Sequence, residues 1–228
     1  MFKICYRKQM NKLYSHLEYT SLLPAITAQQ VEEMVRETKQ YGFGGLCLPP
    51  FWIKKARREL GDAKAALLTV VGHPYGYQMT QTKVAEIQQA LVDGVTELHV
   101  TMNLSAFKSG MPWVKIEIAK CATLIHEREA LLTVVLDAAY LNEPEVAEIA
   151  TLCADAGADG VQLVMGEVAW DTTLAQVRLL RRTLPASVAL KVQHEANRPQ
   201  AEALIEAGAD RIATATAVRI LMNEKPMR

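Results

Sequence analysis

The sequence lacks an excess of either charge, because 25 Lys and Arg residues balance 25 Asp and Glu residues. Without a basic stripe or an acidic tail, long-range electrostatics favours no polymeric partner, and we expect no nucleic acid to bind. The chain also lacks an apolar run long enough to cross a membrane, so we expect no membrane association. A small molecule is therefore the expected ligand.

Cysteine is scarce, and Cys5, Cys47, Cys121 and Cys153 form no CxxC pair. Residues 1–16 are basic but lack the continuous apolar core of a secretory signal. Separated thiols without a signal are typical of reduced cysteines, so the sequence predicts a cytoplasmic protein. We expect an arm or helix over residues 1–16 and one domain over residues 17–228.

Short apolar runs alternate with longer amphipathic stretches from residue 17 onward, which predicts repeated strand–helix units. The predicted strands are 18–22, 44–49, 67–72, 97–102, 131–137, 159–164, 187–193 and 210–214. The predicted helices are 27–41, 51–60, 80–93, 112–127, 143–156, 172–184, 198–208 and 216–222. Eight such units predict an α/β fold, a single closed (β/α)8 TIM barrel, with an open doubly wound sheet as the alternative.

The junctions between the units repeat the same local chemistry. Thr27 and Asn142 each precede an acid or amide three residues later, which is typical of a helix-starting capping box. Gly157 and Gly208 stand in the related runs Ala-Gly-Ala-Asp, where glycine suits the left-handed end of a helix. These signals support the count of repeats.

Lys191 stands in the middle of an apolar predicted strand, on the same face as Gln193. A lysine there either extends to solvent from an edge strand or has a function. In a barrel the functional residues gather at the C-terminal ends of the strands, and this favours the second interpretation.

Other polar side chains are predicted to reach the same mouth. On the fourth strand, Glu97, His99 and Thr101 alternate and so share a face. Buried polar groups are costly unless they bond to one another. We therefore expect Asp137 either to pair with Lys191 or to orient His99.

Several motifs, in order from about Glu18 to Leu221, resemble the deoxyribose-phosphate aldolase family. They are Glu18-Tyr-Thr-Ser-Leu-Leu-Pro24, Leu46-Cys-Leu-Pro-Pro50, Val71-Gly-His-Pro-Tyr-Gly76, Glu97-Leu-His-Val100 and Lys108-Ser-Gly110. The resemblance implies a (β/α)8 barrel that acts on a small carbonyl compound or sugar, needs no cofactor and forms a homo-oligomer, which we expect to be a dimer.

The resemblance implies class I aldol chemistry, in which a lysine on strand 6 forms a Schiff base and a lysine on strand 7 assists it. The attacking amine must be neutral, so its pKa has to be depressed. Gln162 stands at the strand-6 position, whereas Lys191 keeps the strand-7 position. His99 replaces the strand-4 aspartate and Thr133 the strand-5 lysine. We expect the standard family activity to be weak or absent.

The phosphate-binding positions of the family are altered as well. Gly166 is present, but His194-Glu195 replaces a glycine pair and Ala215-Thr216 replaces a serine pair. A carboxylate at a phosphate position repels a dianion unless Glu195 turns away. The residues predicted to be catalytic are Lys191, His99, Gln162 and Asp137. The residues predicted to bind substrate are Glu18, Thr20, Cys47, His73, Gly166, Gln193, His194 and Thr216.

Three functions are open. The first is a carbon–carbon lyase in which Lys191 forms the Schiff base and His99 transfers protons. The second is a catalytically silent homologue that binds or regulates, with a pocket retained because its replacements are polar. The third is metal-assisted chemistry with zinc or iron at His73, His99, His194 and Asp137. The spacing contains no HxH or HExxH signature, so we assign no metal.

Overall fold

A computed structural model describes residues 13–222 of the chain. Eight parallel strands pair in sequence order, and the last strand pairs with the first to close a barrel. They are β1 (Leu17–Thr20), β2 (Gly45–Cys47), β3 (Ala66–Val71), β4 (Glu97–Thr101), β5 (Leu131–Asp137), β6 (Gly160–Val164), β7 (Ala189–Gln193) and β8 (Arg211–Thr214). The predicted (β/α)8 barrel is confirmed, and the open sheet is wrong.

Helices connect successive strands on the outside of the barrel. They are α1 (Ala28–Tyr41), α2 (Ile53–Leu60), α3 (Thr80–Asp93), α4 (Leu104–Lys108), α5 (Trp113–His126), α6 (Glu143–Asp155), α7 (Trp170–Thr183), α8 (Arg198–Glu206) and α9 (Ala217–Met222). Short 3-10 turns, Pro50–Trp52 and Ala138–Tyr140, precede α2 and α6. Apart from the unpredicted α4, the predicted bounds agree with these elements to within two residues.

The helix ends follow the local chemistry of the sequence. Thr27 and Asn142 form complete capping boxes, as predicted. Gly157 and Gly208 have φ of 89° and 111°, which confirms that the repeated Ala-Gly-Ala-Asp runs need a left-handed residue. The short α4 begins at the side chain of Asn103, which accepts a hydrogen bond from the backbone of Ala106 at 3.1 Å.

Strand alternation separates an apolar shell from a polar interior. Leu98 and Leu190 are fully buried in the core that the strands share with the helices. The intervening residues His99 and Lys191 face the barrel axis, where they are 2% and 3% exposed. The register sets Lys191 directly beside Gln162 of the neighbouring strand. The fold therefore collects polar groups on the inner face of the barrel.

The predicted arm over residues 1–16 lies mostly outside the described part of the chain, although residues 13–15 are helical. The division into an arm and a barrel domain stays a prediction. Within residues 13–222, no helix is both long enough and apolar enough to span a membrane.

Candidate active site

Lys191 lies between two carboxylates inside the barrel. Its Nζ donates a hydrogen bond to Glu18 Oε1 at 2.5 Å and another to Glu97 Oε1. Glu18 is 1% exposed and Glu97 is 6% exposed, so water solvates neither carboxylate well. The strands β7, β1 and β4 thus bring a buried ion triad together. The arrangement favours a charged lysine, because each carboxylate stabilises the ammonium.

The pKa directions follow from this contact. Burial by itself lowers the pKa of Lys191, but the charges of Glu18 and Glu97 and their hydrogen bonds outweigh it and raise that pKa. Burial likewise tends to raise the pKa of Glu97, but Lys191 and then His99 outweigh it and hold that pKa well below the usual range. Both directions describe a charged Lys191 and a charged Glu97 at neutral pH.

His99 and Thr133 border the triad. The ring atom His99 Nε2 lies 3.4 Å from Glu97 Oε1 and 3.9 Å from Glu18 Oε2. Thr133 donates to Glu97 Oε1 at 2.5 Å. His99 Nε2 and Glu18 Oε2 are buried and have no hydrogen-bond partner. Two carboxylates thus share one ammonium, with the imidazole of His99 beside them.

Asp137 is not part of this cluster. Its carboxylate accepts a hydrogen bond from the backbone of Ala139 at 3.0 Å and caps the 3-10 turn after β5. The expectation that Asp137 pairs with Lys191 or orients His99 is therefore wrong. Glu97 and Glu18 take those places, and the sequence signal for Glu97 was its position on the same strand face as His99.

A cavity of about 110 Å3 opens at the C-terminal ends of the strands. Its lining includes these predicted site residues: Thr20, Cys47, His73, His99, Asp137, Gln162 and Gln193. Lys191 is not among its lining residues. Since one water occupies roughly 30 Å3 of liquid, the space suits a ligand of a few non-hydrogen atoms.

Two residues that line this cavity carry buried polar atoms without partners. Gln162 donates from Nε2 to Gln193 Oε1 at 3.1 Å, but its Oε1 is buried and unpaired. The hydroxyl of Thr101 is also buried and unpaired, and Thr101 lines the same cavity. Unpaired buried polar atoms are uncommon in native proteins and need an explanation such as a ligand or a water.

Cys47 is a cysteine that lines the cavity. It is fully buried. Burial, with Glu18 adding to it, raises the pKa of Cys47 far above its usual range, and the opposing effect of Lys191 is smaller. A protonated thiol is a poor nucleophile, so Cys47 packs against the cavity in its neutral form.

The histidines do not form the metal set considered from the sequence. His73 lines the cavity, and burial lowers its pKa. His194 instead stacks on Trp170 with a centroid distance of 5.6 Å. Within residues 13–222, the one group of three potential ligands that converges to within 4.8 Å is Glu18, Glu97 and His99. Lys191 already supplies the positive charge there, so these residues do not fit a metal ion.

The predicted phosphate positions lie at the rim. Gly166 is exposed after β6, with φ of 49° and no atom near its missing side chain. The hydroxyl of Thr216 donates to Glu195 Oε2 at 2.9 Å. The carboxylate of Glu195 therefore turns toward strand β8.

The chain matches no family model. It is 34% identical over 210 residues to the deoxyribose-phosphate aldolase of Thermococcus gammatolerans, and the match covers 90% of this chain and 93% of the relative. Among solved structures, the aldolase QR15 superimposes with a TM-score of 0.85 at 30% identity, over 92% of this chain and 94% of QR15. The deoxyribose phosphate aldolase of Aeropyrum pernix gives a TM-score of 0.83 at 28% identity, over 93% and 91% of the two chains. By sequence and by fold, this chain belongs to the deoxyribose-phosphate aldolase family.

Proposed function

We propose that this family member binds a small, uncharged carbonyl or polyhydroxy compound in the mouth cavity and forms no Schiff base with it. The observation that carries the proposal is the position of Lys191. Its ammonium donates hydrogen bonds to Glu18 and Glu97, and Lys191 does not line the cavity. An amine in that state is neither neutral nor presented to a ligand.

The other cavity residues support non-covalent binding. Gln162 stands at the strand-6 position, and an amide nitrogen is not a nucleophile. Its Oε1 and the hydroxyl of Thr101 are buried without partners. A buried polar atom left unpaired costs about 1–3 kcal/mol, so a hydroxyl or carbonyl group of a ligand that bonds to these atoms gains that energy. A small uncharged polar compound matches this lining.

A carbon–carbon lyase reaction through Lys191 is the second candidate. It is favoured by His99, which lines the cavity and approaches Glu97 to 3.4 Å, a place suited to proton transfer. In this mechanism Lys191 gives its proton to Glu97, turns toward the cavity and attacks a carbonyl carbon. The carbinolamine then loses water to give the imine. Each step requires the ion triad to open first.

Borohydride trapping separates the two candidates. Wild-type protein is incubated with small aldehydes, ketones and hydroxy-aldehydes, reduced, digested and mapped by mass spectrometry. We expect no adduct at Lys191. An adduct there overturns the proposal and establishes the lyase candidate. Binding of the same compounds is measured by thermal shift, where a ligand at 100 times its Kd stabilises by about 2.7 kcal/mol.

The variant Gln162→Lys is the matched positive control. It places an amine on the cavity wall at the strand-6 position, where the side chain of Gln162 bonds to Gln193 and not to Lys191, Glu18 or Glu97. We expect this variant to be trapped at position 162 by aldehydes that leave the wild type unmodified. The same control checks that the reagents reach the cavity. Wild-type cleavage of deoxyribose-5-phosphate is expected to be weak or absent, and cleavage at a rate typical of enzymes contradicts the proposal.

We also propose that the protein is a cytoplasmic homodimer. Cys47, Cys121 and Cys153 are free and buried, which is typical of a reducing compartment. Phe51 and Trp113 are 84% and 66% exposed, and such side chains are enriched at subunit contacts. Light scattering is expected to give twice the chain mass of 25.3 kDa. A monomer mass at micromolar concentration contradicts the dimer.

A further inference from the structure

The carboxylate of Glu195 accepts three hydrogen bonds at the end of strand β8. It accepts from Thr214 Oγ1 at 3.0 Å, from Ala215 N at 3.0 Å and from Thr216 Oγ1 at 2.9 Å. Thr214 is 1% exposed, so its hydroxyl is fixed by the barrel. Two hydroxyls and one backbone N–H thus converge on one anionic group that belongs to the protein.

Barrels of this architecture frequently bind phosphate with the loops after strands 7 and 8. The same loops meet here, but Glu195 already uses the donors that converge there. A phosphate dianion at this place would lose those donors and approach a carboxylate of the same sign. The protein's own side chain therefore stands in the place of an anionic ligand.

The surrounding loops themselves contain no lysine or arginine, and Arg198, the first residue of α8, is paired with Glu202 at 3.0 Å. Residues 165–169, 194–197 and 215–216 follow strands β6, β7 and β8, and they contain Glu167 and Glu195 but no lysine or arginine. His194 adds no charge, because burial lowers its pKa while the smaller effect of Glu195 opposes this. Its ring is stacked on Trp170, which holds it against the loop after β6. Lysine or arginine would add charge-assisted bonds to a phosphate, and these loops supply none.

We infer that Glu195 is a specificity-determining residue that closes this rim to phosphorylated compounds, so that the ligand of the mouth cavity is an unphosphorylated one. The second part of this inference, that the cavity ligand is unphosphorylated, rests on the proposed function, because it concerns the same cavity. The exclusion of phosphate by Glu195 does not rest on the proposed function, because Glu195 occupies the donors of β8 whether or not a carbonyl compound binds in the mouth cavity.

Titration with inorganic phosphate alone tests the closure. Isothermal calorimetry and thermal shift are measured for the wild type and for the matched variants Glu195→Ala and Glu167→Ala. Each variant removes one exposed carboxylate from neighbouring loops, but only the first frees the three donors. If Glu195→Ala does not fold by circular dichroism, Glu195→Gln removes the charge with the side-chain volume retained.

We expect saturable binding of phosphate to Glu195→Ala and none to the wild type at concentrations up to about tenfold above the Kd of that variant, a difference of at least about 1.4 kcal/mol. Glu167→Ala is expected to show no saturable binding over the same range, because an exposed charge in the next loop is screened by salt. Saturable binding to the wild type overturns the inference. So does the absence of a gain in the Glu195 variant, or an equal gain in Glu167→Ala. Because the probe is phosphate, a failure to find a carbonyl ligand leaves this result intact.

Discussion

Two lysines within residues 13–222 are buried, and they are held in different ways. Lys83, on α3, is fully buried and donates to the backbone of Thr101 at 2.9 Å and to Glu117 at 2.5 Å. Lys191, on β7, is 3% exposed and is bonded to Glu18 and Glu97. Lys83 therefore has one carboxylate partner and Lys191 has two.

The difference separates packing from site chemistry. Lys83 and Glu117 balance each other, and they tie α3 to α5 and to the end of β4. The group around Lys191 has two carboxylates for one ammonium, and His99 beside them also lines the mouth cavity. Burial alone is thus no mark of a nucleophilic lysine, since each of these two is paired with carboxylates. The number of carboxylates and the neighbouring histidine distinguish the candidate site.

The largest effect is expected from Lys191→Met. This change leaves Glu18 and Glu97 buried without a cation, and breaking a buried pair in this way typically costs about 3–5 kcal/mol. The free energy of unfolding is measured by urea denaturation at pH 7. Lys115→Met is the control, since Lys115 pairs with Asp155 at the surface and such pairs contribute at most about 1 kcal/mol. Equal losses for the two variants contradict the buried triad.

Lys83→Met is expected to cost less, about 2 kcal/mol, because the one carboxylate left behind is partly reached by water. The side chain of Glu117 is 14% exposed. The double variant Lys83→Met with Glu117→Gln is expected to recover part of the loss, as the uncompensated charge is then removed. If the single and double variants are equally stable, Lys83 acts through packing alone.

The pH dependence of stability is expected to have opposite signs in the wild type and in the variant Lys191→Met. In the wild type, the lowered pKa of Glu97 gives a stabilisation that is present above the usual glutamate range and is lost only as the pH falls through the lower folded value. Without the ammonium, burial is the main influence and raises the pKa of Glu97. Lys191→Met is then expected to gain stability from pH 7 to pH 5, by up to about 1.4 kcal/mol per pH unit. A loss over that range contradicts the account.

The smallest effect concerns Cys47, whose pKa burial raises. Because the thiolate is the reactive form, we expect native protein at pH 8 to leave Cys47 unmodified by iodoacetamide over hours. Urea-unfolded protein is the control and is expected to react fully. Peptide mapping measures both. Rapid alkylation of Cys47 in the native state contradicts the neutral, inaccessible thiol.

The fold could be predicted from the sequence because its signals are local. Each unit carries its own apolar run and helix cap, and the glycines after α6 and α8 mark the same turn twice. The helix α4 was missed, since five residues carry no periodic pattern and only the cap at Asn103 announces it.

The site could be predicted only in part. Strand alternation placed Lys191 and His99 inside the barrel. The partners of Lys191 depend on which side chains reach across the barrel, and the sequence does not specify the distances between side chains of non-adjacent strands. Asp137 was misassigned because the last residue of a strand can turn back to bond the backbone two residues later, as it does at Ala139.

The charge state of Lys191 is the central claim, and a pH titration of its side chain tests it most directly. Protein with 13C-labelled lysine is titrated by NMR, and the Cε resonance of Lys191 is assigned by its absence in Lys191→Met. We predict that this resonance stays at the position of a charged lysine up to at least the usual lysine pKa of about 10.4. A titration midpoint near pH 7 or 8 would contradict the account, because Lys191 would then be the neutral amine that a Schiff-base reaction requires.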